Sequence, residues 1–373
     1  MLKKVSAVLL CVALICCLFS SCGYETVNFK TDRKDYAEIY KKFKGSEINV
    51  YNWGEYISDG SYDMMDVNRE FERLTGIHVN YTTFESNESM YSQLKSGGVS
   101  YDIIIPSDYM IERMINENML KKIDFSKLKN YHYIMDQYKE LYYDKKNQYS
   151  VPYSVGMVGI VYNPTLIGEP EHSWKALWDP KYRDLSLNFS NPRDCFMTAQ
   201  MILGQDLNST NKADWDAAAN LLKQGKDVLQ GYVMDEIYGK LETGEAAIGP
   251  YYAGDYYTMQ EINPDLKFFY PEEGTNIFVD AICVPKSAKH FDEAMLYIDF
   301  LLEPEVALSN AQYICYASPH SAVVENEDYD FFEDEILYPS PEDFDLKKAQ
   351  YYHDIDPEIR SYYENLWIDL KLY

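Results

Sequence analysis

From Glu47 to Pro106 the apolar residues alternate, then recur at helical spacing, then repeat that change, and this order constrains the fold more than any other feature of the chain. Glu47 to Tyr56, EINVYNWGEY, alternates at Ile48 and Val50 as a strand and ends in a loop presenting Trp53, Glu55 and Tyr56. Ser61 to Thr75 reads as a helix with Tyr62, Met65, Phe71 and Leu74 near one face and Gly76 as its stop. His78 to Phe84 alternates again, Glu88 to Ser96 is helical up to Gly97 and Gly98, and Tyr101 to Pro106 is a continuous apolar strand. Strand, helix, strand, helix, strand predicts an α/β fold with a mainly parallel sheet. Ligands of such sheets bind beyond the carboxyl ends of the strands. The Trp53–Tyr56 loop and Ser107 to Tyr109 are therefore candidate site segments. Ser107 and Asp108 suit equally well the start of the next helix, Tyr109 to Met119, which leaves Tyr109 as the better ligand candidate.

At 373 residues the chain has room for two domains. With 34 basic and 60 acidic residues its formal charge is −26 at pH 7, which repels nucleic-acid phosphates and anionic membrane surfaces and favours cationic ligands. Much of that charge also serves solubility alone. Residues 1–22 have a basic start, an apolar run from Val5 to Phe19 and Ser20 and Ser21 before Cys22, the proportions of a signal peptide and too short for a membrane span. Their end resembles a bacterial lipoprotein box with lipid on Cys22, although Phe19 departs from the aliphatic residue usual at that position. Such a cysteine carries the several acyl chains that stable anchoring needs. The protein is expected to be exported and tethered outside the cytoplasmic membrane, with residues 23–45 as a polar spacer. Beyond this segment Cys195, Cys283 and Cys315 are odd in number and widely spaced, which argues against a disulfide framework or zinc ribbon and for small buried hydrophobes. The six histidines form no HExxH pair, and no metal or cofactor is expected.

Residues 150–163, SVPYSVGMVGIVYN, read as extended chain crossing between two lobes, with Gly156 as a hinge candidate. The second lobe follows: a short helix at Trp174 to Trp178, a strand at Asp184 to Phe189, a helix opened by Asn191, Arg193 and Asp194, and another at Asp214 to Gln224. In Ala246 to Tyr257 a small-residue strand leads into four tyrosines and Asp255. Ile277 to Pro285, IFVDAICVP, is a strongly apolar strand with one charge, Asp280. A lone carboxylate there is costly to bury unless paired, and it is the strongest single sign of a site. Ala288 to Leu302 is an amphipathic helix, Tyr316 lies in a loop, and the acidic stretch Glu325 to Glu342 with a last helix at Glu358 to Leu372 completes the second lobe or straps it to the first. Trp53 and Glu55 together suit an organic cation, because the indole face and the carboxylate attract the same ligand. An isolated tryptophan is more often core and an isolated glutamate solvated, so agreement from other segments is required.

In this order YNWGEY, TFESNESMY, YDIIIPSDYMIERM, VPYSVGMVGIVYN, SWKALWDPKY, GYVMD through GPYYAGD, and FVDAICVP resemble the spermidine and putrescine binding proteins of bacterial ABC importers, over roughly Glu47 to Trp367. The resemblance implies two α/β lobes joined by crossing strands and closing over a polyamine, residues 46–156 with 279–324 forming one lobe and 157–278 with 325–373 the other. It implies ligand contacts from Trp53, Glu55, Tyr56, Tyr109, Asp194, Tyr252, Asp255, Phe278, Asp280 and Tyr316, and permease and ATPase subunits as partners of a monomer. Asn191 stands where spermidine binders often have aspartate, Tyr252 and Phe278 where tryptophans are common, and Asp255 in YAGD resembles putrescine-selective members. The choice between diamine and triamine stays open, with a lean toward putrescine. Independently, a polyamine at neutral pH is a methylene chain with ammonium groups, which needs carboxylates at its ends and aromatic walls between them. Three alternatives stay open. Adjacent Tyr251 and Tyr252 could offer phenolates to ferric iron, although adjacency is easily accidental among 36 tyrosines. Asp194 and Asp280 could serve a secreted hydrolase, without a nucleophile elbow, metal motif or catalytic histidine in support. A polyamine sensor would use the same site as a transporter.

Overall fold

The computed structural model describes residues 34–341 and 344–372. Residues 1–22, Cys22 included, and residues 23–33 of the expected spacer lie outside them. Among the described residues ten strands form one continuous sheet: β1 (Glu47–Trp53), β2 (His78–Phe84), β3 (Ile103–Ile104), β4 (Ser150–Tyr162), β5 (Ser186–Phe189), β6 (Leu229–Val233), β7 (Ile248–Tyr252), β8 (Lys267–Phe269), β9 (Thr275–Cys283) and β10 (Ala349–Gln350). Their order is β2-β1-β3-β9-β4-β7-β5-β6, with β8 on β4 and β10 on β9. At one end β1 runs parallel to both β2 and β3. At the other β5 runs parallel to β6 and β7. Between these halves β4 and β9 pair antiparallel from Ser150 opposite Cys283 to Met157 opposite Ile277. The fold is thus the expected two-lobed α/β architecture, each half mainly parallel and the halves joined by crossing strands.

The crossing strands hold their place because they are apolar on both faces: β4 is buried along nearly its whole length, and so is β9. β4 pairs with β9 through Met157, then exchanges that partner for β8 while β7 takes its other edge. Helices cover both halves. Asp66 accepts the backbone N–H of Arg69 to start the helix Val67–Thr75, and Gly76, at φ +71°, ends it. That helix is shorter than expected, because Ser61–Asp63 is a separate turn in which Tyr62 and Asp63 adopt left-handed conformations. Helix Asp108–Asn116 likewise stops before Met119.

Part of the expected spacer is a helix, Tyr36–Phe43. Tyr36, Ile39, Tyr40 and Phe43 recur at helical spacing, Tyr36 is buried, and Ile39 and Phe43 pack against the core. The residues after Tyr252 also form a helix, Ala253–Ile262, which turns the tyrosine run back over the sheet. The segment after β10 straps the halves together. Asp354 N–H donates to Glu112 Oε2 at 2.8 Å, while Asn208 Nδ2 donates to the carbonyl of Tyr351 at 2.8 Å. Cys195 and Cys283 are buried as small hydrophobes, and Cys315 is half-buried at the left-handed end of helix Pro304–Ile314. No helix among the described residues is long and apolar enough to cross a membrane.

Candidate functional site

A cavity of about 510 Å³ opens where the parallel strands end. Trp53 to Tyr56 follow β1, Glu85 to Glu88 follow β2, Ser107 and Tyr109 follow β3, Asn191 to Asp194 follow β5, Met234 and Asp235 follow β6, and Tyr252 to Asp255 close β7. Six parallel strands thus deliver their carboxyl-end loops to one space, as the topology of such sheets dictates. The crossing strand β9 adds Phe278 and Asp280, and Tyr316 completes the wall. All ten residues expected at the site line this cavity.

Its charge is lopsided. Glu55, Glu85, Glu88, Asp194, Asp235, Asp255 and Asp280 face Arg193, the only basic lining residue among the described residues. Arg193 is buried, with its guanidinium 4.3 Å from the ring centre of Tyr352, and donates from Nη2 to Asn208 Oδ1 at 3.1 Å. Tyrosine hydroxyls orient the carboxylates. Tyr56 donates to Asp280 Oδ2 at 2.6 Å, Tyr238 and Tyr316 to Asp255 at 2.7 and 2.8 Å, Tyr252 and Tyr352 to Asp194 at 2.7 and 3.0 Å, and Tyr109 to Glu88 at 2.9 Å. Asp194 also accepts from Asn191 Nδ2 at 2.8 Å. By contrast Asp280 Oδ1, on a residue only 3% exposed, has no partner that meets hydrogen-bond geometry.

Burial pushes the carboxyl of Asp280 up to about 6, against the pull of the Tyr56 and Ser107 hydroxyls. Burial likewise pushes Asp255 up to about 6, where Tyr238 and Tyr316 lower it and Asp235 and Glu55 raise it. Glu88 is raised by burial and by Asp194. A cation in the cavity would favour the charged form of each.

The walls are aromatic. Phe278 lies 5.7 Å from Tyr252 and 6.2 Å from Tyr316 between ring centres, and Tyr56 meets Tyr316 edge-on at 5.7 Å. Trp53 is fixed by its indole N–H, which donates to the carbonyl of Ile105 at 2.9 Å, and by Phe84, 4.5 Å away. Glu55, exposed at the rim, holds a left-handed backbone at φ +50° and accepts from the Tyr313 hydroxyl. Gly156 admits these walls: a Cβ there would overlap Phe278 Cζ and come within 2.7 Å of Tyr316 Cε1.

Of the two residues left between cap and contact, Ser107 lines the cavity and accepts from Asn87 Nδ2, while Asp108 is fully buried and binds the backbone N–H groups of Tyr109 and Val279. Glu85, Glu88, Arg193, Asp235, Tyr238 and Tyr352 were not anticipated as lining residues. Glu85, Glu88 and Asp235 carry a usable signal, since each follows a strand of the parallel sets. Tyr352 carries none, because it reaches the site only through the strap. Tyr251 and Tyr252, the conceivable iron ligands, donate to different carboxylates, Asp235 and Asp194, and burial pushes both phenols well above their ordinary value.

Residues 100–331 match the model of the family described as bacterial extracellular solute-binding protein. The spermidine/putrescine-binding periplasmic protein of Salmonella typhimurium is 32% identical over 327 residues, 87% of this chain and 91% of that one. The putrescine-binding periplasmic protein PotF of Escherichia coli is 28% identical, with 87% of this chain and 91% of its own covered. Among solved structures, the spermidine/putrescine ABC transporter substrate-binding protein PotD of Streptococcus pneumoniae superposes with a TM-score of 0.73 at 33% identity, over 88% of this chain and 99% of its own.

Proposed function

The chain belongs to the bacterial extracellular solute-binding proteins, and from that premise we propose that it captures a polyamine and delivers it to an ABC importer. One observation carries the reading: seven carboxylates against one guanidinium, set among aromatic rings in a cavity of about 510 Å³, a size ordinary for small-molecule sites. Carboxylates take the ammonium groups and the rings take the methylenes. Trp53, Glu55, Tyr56, Tyr109, Asp194, Tyr252, Asp255, Phe278, Asp280 and Tyr316 are the proposed contacts. The lobes proposed to close over the ligand are residues 46–156 with 279–324, and 157–278 with 325–373.

Putrescine is favoured over spermidine. Asn191, at the position where spermidine binders often carry aspartate, is neutral and gives its amide to Asp194, which removes one possible ammonium partner. Calorimetric titration with putrescine, cadaverine, spermidine and spermine tests the function, and absence of heat with all four would end it. Export and tethering through Cys22 are part of the same proposal. Cys22→Ser is expected to release the protein from the membrane fraction with ligand binding intact, and an unchanged membrane fraction would count against the anchor.

A further inference from the structure

A second, smaller cavity of about 30 Å³ lies against β4 at Pro152 to Ser154, and Tyr316 forms part of the wall of both cavities. It is lined mostly by buried residues, among them the apolar Leu301 and Ile314, and it brings together Ser154, Asn310 and His320. Each of these three can be given a definite hydrogen-bonding role.

His320 is 2% exposed, and its Nε2 lies 3.0 Å from the carbonyl oxygen of Leu302. A carbonyl only accepts, so Nε2 carries the proton and Nδ1 is a bare acceptor, which has no protein partner. Burial pushes the imidazole down to about 4, so it stays neutral at physiological pH. Asn310 is 3% exposed, and its Oδ1 accepts the backbone N–H of Ser58 at 2.9 Å. Its Nδ2 is then a donor, also without a protein partner. Ser154 sits opposite Asp280 in the β4–β9 register, just past an irregularity at Tyr153, and its hydroxyl bonds that of Tyr56. The single proton of Tyr56 goes to Asp280, so Ser154 donates to Tyr56 and its own oxygen is free to accept.

Two acceptors and one donor thus belong to residues that line a space larger than the ~10–15 Å³ one water needs. We propose that one internal water fills it, donating to His320 Nδ1 and Ser154 Oγ and accepting from Asn310 Nδ2. It completes a directed chain, water to Ser154 to Tyr56 to Asp280, that supports the charge on the Asp280 carboxylate from behind the ligand cavity. Such chains strengthen along their length, because each donor is polarised by the one before it. The groups that face Asp280 are Tyr56 from the β1 loop, Ser154 from β4, and Ser107 with the buried carboxyl of Asp108 from the helix start. Of these, the Ser154–Tyr56 branch is the one that ends in the second cavity.

The test uses the ligand-free protein, so it stands or falls separately from polyamine capture. A high-resolution crystal structure is expected to show one water within hydrogen-bond distance of all three atoms, and a dry cavity would overturn the proposal. Titration of the Asp280 carboxyl by carbon NMR, in the parent and in Ser154→Ala and Asn310→Ala, is expected to shift its midpoint upward by about half a unit or more. A midpoint unmoved in folded Ser154→Ala would also overturn it. Should Asn310→Ala not fold, Ser154→Ala removes only one hydroxyl from a strand and carries the same readout.

Discussion

Asp280 occupies a strand buried on both faces, and its carboxyl, raised to about 6 by burial, accepts from Tyr56 on Oδ2 and is also drawn down by the Ser107 hydroxyl, while Oδ1 has no partner that meets hydrogen-bond geometry. Keeping such a group ionised in the empty protein costs stability above pH 6, and a bound ammonium offsets that cost. Asp280→Asn is expected to weaken polyamine binding by about 2–5 kcal/mol, roughly 1.5 to 3.5 decades in affinity. The ligand-free variant should melt higher than the parent at pH 7.5 and by much less at pH 4, where the folded parent carboxyl is already protonated and the unfolded one is only partly ionised. A variant that melts lower at pH 7.5 and still binds would mark Asp280 as a structural residue. Trp53 supports the opposite chemistry of the same ligand, its apolar length. Trp53→Ala should cost roughly 1–2 kcal/mol of binding, and an affinity within a factor of two of the parent would mean that the indole only packs on Phe84.

The crossing strands do two tasks that pull on each other. β4 and β9 must be apolar enough to stay buried, yet they carry Ser154, Phe278 and Asp280 toward the cavities. Gly156 shows how close the packing is. Its backbone is not in the left-handed region, so the demand for glycine comes from the rings of Phe278 and Tyr316 that cross over it. Gly156→Ala is expected to destabilise the fold by about 1–3 kcal/mol through overpacking. Because both displaced rings are also cavity walls, ligand affinity should drop together with stability. Urea unfolding and titration of the same sample check this, and a stable variant with full affinity would show that the rings can move aside at no cost.

The molecule gathers acid from both halves of its sheet into one cavity, and this makes binding sensitive to pH. Burial pushes Asp255 and Asp280 up to about 6 in the empty protein, and a cation favours their ionised forms. Affinity should therefore be flat above about pH 7 and fall below pH 6, by up to roughly tenfold per pH unit for each group that must lose a proton on binding. Proton release measured by titration in buffers of different ionisation enthalpy gives the number directly. An affinity unchanged between pH 7.5 and 5 would mean that neither carboxyl meets the ligand's charge.

What could be read along the chain is what local patterns encode. The change between alternating and helical spacing marked β1, β2 and the helices around them, and the lone charge in IFVDAICVP marked Asp280, because a backbone preference and a cost of burial are both written within a few residues. The helix Tyr36–Phe43 was legible by the same rule and was hidden only by its polar surroundings. The pairing of carboxylates with tyrosines was not legible. Tyr56 meets Asp280 across 224 positions and Tyr352 meets Asp194 across 158, so their contacts depend on how the crossing strands and the strap bring distant segments together. Nor could the chain say which acid is satisfied and which is left open. Asp194 and Asp280 look alike as letters, and only the folded protein surrounds the first with three well-placed donors and gives the second one, because hydrogen-bond supply is a property of three-dimensional neighbours.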